Sequence, residues 1–279
     1  MSVQFQARNH SYTSTDPLDI TEWMSVTSLV GLFKPKFDAV AVSEKVCKSK
    51  KSKWFGMDPA KIREVWENEA KRATDLGTWF HNEREVELTA SLTLERSGVH
   101  LPIIKPLYNG EVKMAPDQKL TEGIYPEHFA FLKSAGICGQ SDRVEVVKNI
   151  VDIIDYKTNK EIKKVGFTNW QGVVQKMTGP LSHLDDCSFN HYAVQLSVYM
   201  YMILKHNHNL KPGKLTLHHI IFEEEGVDEY GYPIAKRNLQ GEPIVKELVP
   251  YEVPYLKSEV ISMINWLHDN RKNLVKKTK

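Results

Sequence analysis

The chain has 279 residues, 41% of them hydrophobic and 26% charged, with a net charge of +2, the balance of an ordinary globular protein with one large core. No apolar run approaches the roughly 20 residues a bilayer span needs, and Met1 to Arg8 lack the apolar core of a signal peptide, so an intracellular protein without membrane attachment is expected. Cys47, Cys138 and Cys187 form no CxxC pair, which argues against a cysteine-built zinc or iron–sulfur site.

In chain order, Ser25-Val26-Thr27 reads as the start of a short helix, and Asp58-Pro59 as an N-cap with proline at the first helical position. Ile62, Val65, Trp66 and Ala73 recur at helical spacing up to Gly77, and a second helical stretch runs from about Thr78 to Leu92, possible as a continuation of the first. Residues 1–76 are therefore expected to form a helical extension to a core at 77–279, all within one domain. Residues 97–120 read as loop or short strands. Tyr125–Leu132, Gly136–Val147 and Ile150–Lys157 read as strands, the last two joined at Lys148-Asn149. Residues 158–187 read as irregular with one helix near Trp170–Met177. Ser188–His206 is an amphipathic helix, with Phe189, Tyr192, Ala193, Leu196, Met200, Ile203 and Leu204 on its apolar stripe. Strands at Leu215–Phe222 and near Ile244–Val253 follow, and a helix at about Leu256–Lys276 turns Val260, Met263, Ile264, Leu267 and Leu274 inward. This order predicts an α/β (α+β) fold, a central mixed β-sheet flanked by helices.

The chemistry concentrates in Val151-Asp152-Ile153-Ile154-Asp155-Tyr156-Lys157. Side chains alternate along a strand, so Asp155 and Lys157 share a face with Val151 and Ile153. A carboxylate and an ammonium at the end of an apolar face are costly unless paired or bound to metal. The pairs Glu69/Lys71, Glu111/Lys113, Asp117/Lys119 and Glu161/Lys163 have the same spacing, but in helical or polar settings where a solvated pair accounts for them. Across the proposed hairpin Asp142 comes near Asp155. Two carboxylates brought together in a partly dry place repel unless a cation lies between them, and hard oxygen donors favour Mg²⁺ or Mn²⁺. His81 and Glu85 lie one turn apart on a helix, as do Gln195 and Tyr199. Taken singly, His81 and Tyr199 read as structural.

In order, Gly77-xxx-His81, Gly139-xx-Asp142, Ile154-Asp155-Tyr156-Lys157-Thr158 and Gln195-xxx-Tyr199 resemble the motifs of the PD-(D/E)XK nuclease superfamily, in its RecB-like and phage exonuclease-like branch. The matched stretch is nearly half the chain; Ser141 stands where the usual proline precedes the aspartate. The resemblance implies a restriction-endonuclease-like core and a Mg²⁺- or Mn²⁺-dependent deoxyribonuclease, without an iron–sulfur cluster. It implies that Asp142, Asp155 and Lys157 are catalytic, and that Asp142, Asp155, His81 and the backbone carbonyl of Tyr156 hold the metal. It places Glu127, and more weakly Glu85, near the metal or behind its ligands, and sets Gln195 and Tyr199 against the nucleic acid. DNA ends or single strands would be the substrate, in recombination, repair or phage genome processing, with recombination or replication proteins as possible partners. The other reading weighed is a non-catalytic nucleic-acid-binding module that keeps the nuclease fold.

Two basic clusters, Lys48/Lys50/Lys51/Lys53 and Arg271/Lys272/Lys276/Lys277/Lys279, could hold phosphates or be plain solvated surface. Ser182-His183-Leu184-Asp185 contains triad residue types too close together to form one. His218 and His219 lie on opposite faces of one strand, and there is no GxxxxGK[ST] phosphate loop.

Overall fold

A computed structural model describes residues 3–96 and 98–275, with the backbone alone at 274 and 275. The chain opens with strands β1 (Val3–Gln6), β2 (Ser11–Ser14) and β3 (Met24–Ser25), then helices α1 (Val26–Gly31), α2 (Ala39–Val46) and α3 (Pro59–Ala90). Short strands β4 (Thr93–Arg96), β5 (Val99–Pro102), β6 (Leu107–Asn109) and β7 (Val112–Met114) lead to the long strands β8 (Gly123–Leu132), β9 (Ile137–Val147) and β10 (Ile150–Lys157). Helix α4 (Ser188–His206) and strands β11 (Lys211–Phe222), β12 (Glu224–Val227), β13 (Pro233–Ala235) and β14 (Val245–Val253) follow, and α5 (Lys257–Val275) ends the described chain.

The main sheet is mixed and six-stranded. Its order is β14-β11-β10-β9-β3, with β8 also paired to β9. Strands β10 and β11 run parallel, joined through α4, whereas β8, β9 and β10 are antiparallel neighbours. Helices cover both faces. On one, Val194, Leu196, Val198 and Met200 of α4 join Val151 and Ile153 of β10 in the main core, with α1 and α5 behind. On the other, Phe80 of α3 packs on Ile154, Tyr156, Ile220 and Phe222. Each fully buried side chain of this size contributes about 1.5–3 kcal/mol, so the alternation along β10 anchors both layers at once. Among the described residues, no helix is long and apolar enough to cross a membrane.

Several expectations hold. The β9–β10 turn lies at Lys148 and Asn149, both at positive φ, the geometry of a tight two-residue hairpin. Asp58 caps α3 through Ala60 N–H, with Pro59 at its start, and α3 runs unbroken for 32 residues.

Others are corrected. The first 76 residues are not simply helical, because β1 and β2 form a hairpin that β1 joins to β7, and the supposed boundary at 76/77 falls inside α3. No helix forms at 170–177. There the backbone is held by isolated bridges, Thr168 to Val174 and Lys176 to Asp185. Arg271 is no free tail residue, since its guanidinium donates to the carbonyls of Ala135 and Glu22. The side chain of Leu274 and all of Lys276, Lys277 and Lys279 lie outside the described residues.

Candidate metal centre

The site begins with a fork in the sheet. Strand β8 runs along one edge of β9, so β10 and β3 share the other. There β10 pairs with residues 143–147 and β3 with Ile137 and Cys138. Between them the stretch 139–142 has no ladder partner on that edge among the described residues. The last β9–β10 pair is Arg143 with Ile154. Beyond it the Asp142 carboxylate takes the place of a backbone acceptor, receiving the Tyr156 N–H at 2.6 Å. In an extended strand the N–H and C=O of one residue point to the same side, so the Tyr156 carbonyl also faces the fork.

Strand β8 is distorted opposite this point. Glu127 has φ of 47°, a left-handed conformation that costs a side-chain-bearing residue on the order of 1 kcal/mol or more. It reverses the alternation of the strand. Before it Tyr125 faces the α4 core and Ile124 the opposite face, whereas after it Ala130 faces α4 and Phe129 the opposite face. The strand register skips from Pro126–Arg143 to His128–Ser141, leaving Glu127 across from Asp142.

Here three donors converge. One ligand atom from each of His81, Glu127 and Asp142 lies within 4.8 Å of the other two, and His81 Nδ1 is 3.3 Å from Asp142 Oδ1. Burial and the Asp142 charge push the Glu127 carboxyl up to about 7. Burial also works to raise Asp142, but the contact with His81, the charge of Lys157 and the Tyr156 N–H hold it below the usual carboxylate range. Burial alone would lower His81; the carboxylates around it push it up to about 9. A half-buried imidazole and two carboxylates arranged this way fit a divalent cation with mixed nitrogen and hard oxygen preference.

Asp155 is not part of that trio. Its Oδ2 is 2.5 Å from Lys157 Nζ, an ion pair without hydrogen-bond geometry. Both groups are largely buried, and Lys157 also lies 4.7 Å from the Tyr192 ring centre. Burial raises the Asp155 carboxyl to about 6. Lys157, which burial would lower, is raised by Asp155 and Asp142.

His81, Glu127, Asp142, Asp155 and Lys157 open on one cleft of about 700 Å³, which Gln195, Tyr199 and Glu85 also line. Tyr199 is 3% exposed and belongs to the main core as well as to the cleft wall, with Gln195 hydrogen-bonded to it. Two glycines sit at close approaches where a side chain would be tight. A Cβ on Gly139 would lie 3.0 Å from the Tyr199 hydroxyl and 3.2 Å from Val26, and one on Gly77 would lie 3.1 Å from Thr158 Oγ1, where α3 crosses the end of β10. Glu85 is not one of the three converging donors; it accepts from the Tyr108 hydroxyl at 3.0 Å, and its charge acts on Glu127 and Lys113.

Comparisons of the sequence with protein-family models and with curated proteins, and of the fold with solved structures, return no match.

One residue expected to be a solvated charge is nothing of the kind. Lys113 is 4% exposed, lines the same cleft, and has its Nζ 3.5 Å from Glu127 Oε2. Its sequence context carries no such signal, because the sheet that buries it pairs residues 4–6 with 112–114. The side readings fall away. His183 pairs with Glu259 and Asp185 with Lys176, so they form no triad. His219 binds the Asn159 carbonyl, while His218 lies on the Tyr156 side. Lys53 is engaged with the Tyr230 carbonyl and the rings of Trp54 and Tyr232.

Proposed function

We propose that this protein is a metal-dependent deoxyribonuclease with a PD-(D/E)XK, restriction-endonuclease-like core, acting on DNA ends or single strands. The observation that carries this reading is the His81–Glu127–Asp142 cluster beside the Asp155–Lys157 ion pair in one cleft.

A Mg²⁺ or Mn²⁺ ion held by His81, Glu127 and Asp142, with the Tyr156 carbonyl within the same fork, would neutralise charge on the phosphodiester and acidify a water. The protein's own groups supply the rest. Asp142, anchored by the Tyr156 N–H, is held ionised and aimed into the cleft. Lys157 presents an ammonium that meets the negative charge developing on the phosphate oxygens. Asp155 fixes that ammonium in place through their ion pair, so its role is to position Lys157. Gln195 and Tyr199 form the wall along which the strand lies, and Tyr199 gives that wall rigidity because the core holds its ring.

The test is cleavage of end-labelled linear DNA and of a closed circle in Mn²⁺, by the wild-type protein and by Asp155→Ala. The reading expects products from the wild type and a large loss in the variant. No cleavage by the wild type, or equal cleavage by both, overturns it.

A further inference from the structure

The cleft has a second lysine, and its placement differs from that of Lys157. Lys113 comes from β7 in the small sheet β2-β1-β7-β6, where it sits opposite Phe5 on β1 and Tyr108 on β6. Its ammonium lies 5.7 Å from the Tyr108 ring centre and pairs with Glu127, a member of the three-donor cluster. A buried ammonium is stable only beside compensating charge; Glu127 supplies the nearest and largest share, with Glu85 and Asp142 adding to it. The same carboxylate is the one a divalent cation would need. Two cations cannot share one buried carboxylate without mutual repulsion, which is strong where water is excluded.

We propose that Lys113 is an internal stand-in for the metal, exchanging partners when the site is loaded. Without metal its ammonium neutralises Glu127. With metal it is released from Glu127 and faces the cleft, where it contacts a phosphate of the bound strand. This rests on the nuclease reading above and adds to it a second phosphate contact, on the Glu127 side of the site. Lys113 thereby opposes metal binding and favours DNA binding.

That opposition is the test. Mn²⁺ affinity is measured by calorimetry on the full chain, and affinity for a single-stranded oligonucleotide with non-hydrolysable linkages is measured in saturating Mn²⁺. For Lys113→Met, Mn²⁺ binding should tighten by about tenfold or more, while oligonucleotide binding weakens several-fold. Lys113→Arg, which keeps the charge, should move both values back toward wild type, and it remains informative if the methionine variant folds poorly. Simple structural damage would weaken both. Mn²⁺ binding that is unchanged or weaker in Lys113→Met overturns the proposal. A wild-type protein that takes up no Mn²⁺ would instead overturn the metal centre itself.

Discussion

The two charged pairs of the cleft are built in contrasting ways. Asp155 and Lys157 are two residues apart on a regular strand, and their shared face follows from the alternation of β10. Glu127 and Lys113 come from different sheets, and they meet only because β8 is turned into a left-handed conformation at Glu127 and the N-terminal hairpin recruits β7. The first pair is a property of a strand; the second is a property of the assembled fold. The difference also appears in cost. The Asp155–Lys157 pair shares its face with Val151 and Ile153, which anchor the core, whereas Glu127 adopts strained backbone, which re-aims Phe129 and Ala130 after it. Strain kept at a carboxylate that joins two other groups able to hold a metal ion is consistent with a functional constraint on that residue.

The sharpest way to separate the pairs is Lys157→Ala. Cleavage in Mn²⁺ should fall by about 10²–10³-fold, the scale of removing one group that stabilises transition-state charge, while Mn²⁺ affinity measured by calorimetry stays within a few-fold. A parallel loss of metal would show that the two pairs are one unit.

Glu127→Gly probes the other side. It removes a ligand and the strain together, so Mn²⁺ affinity should drop by roughly 10–100-fold. The metal-free protein should lose stability in denaturant unfolding, because the buried Lys113 ammonium is left without Glu127, and the ease with which glycine accepts positive φ offsets only about 1 kcal/mol of that loss. A metal-free variant more stable than wild type would mean that the strain of the left-handed backbone outweighs the pairing of Glu127 with Lys113.

The smallest effect is on the pH dependence of the metal-free protein. Glu127 is raised to about 7 and Asp155 to about 6, so the folded state keeps protons there that the unfolded chain has already lost. His81, raised to about 9, does the same at higher pH. Stability from these three groups is greatest in mild acid and falls as pH climbs from about 5 to about 9. Thermal melts in chelator across that range should show Tm declining. The depressed Asp142 acts in the opposite sense only in stronger acid. Melts of Glu127→Gln should flatten the part of the decline between about pH 5 and 7, and an unchanged slope would remove Glu127 as its source.

Much of the central sheet was legible from residue order alone. The apolar alternation of β10, the Lys148-Asn149 turn and the stripe on α4 are local signals, readable within a dozen residues. Asp142 beside the end of β10 followed from the hairpin. The N-terminal strands escaped because four-residue strands with mixed composition carry little periodic signal. The helix expected at Trp170–Met177 failed for a related reason: Asn169 hydrogen-bonds the N–H groups of Gln171 and Val173 and folds the segment into a turn.

By itself, then, the order of amino acids determined that Asp155 and Lys157 stand together at the end of a buried strand face, because a strand's two-residue period puts them there in any fold that buries Val151 and Ile153. Which carboxylates cluster with His81, and which lysine is drawn in to balance them, was decided only in three dimensions. Glu127 depends on a backbone reversal within β8, and Lys113 on pairing between segments about a hundred residues apart. An exposed acid-x-lysine and a buried one look alike until distant chain segments exclude water from one of them.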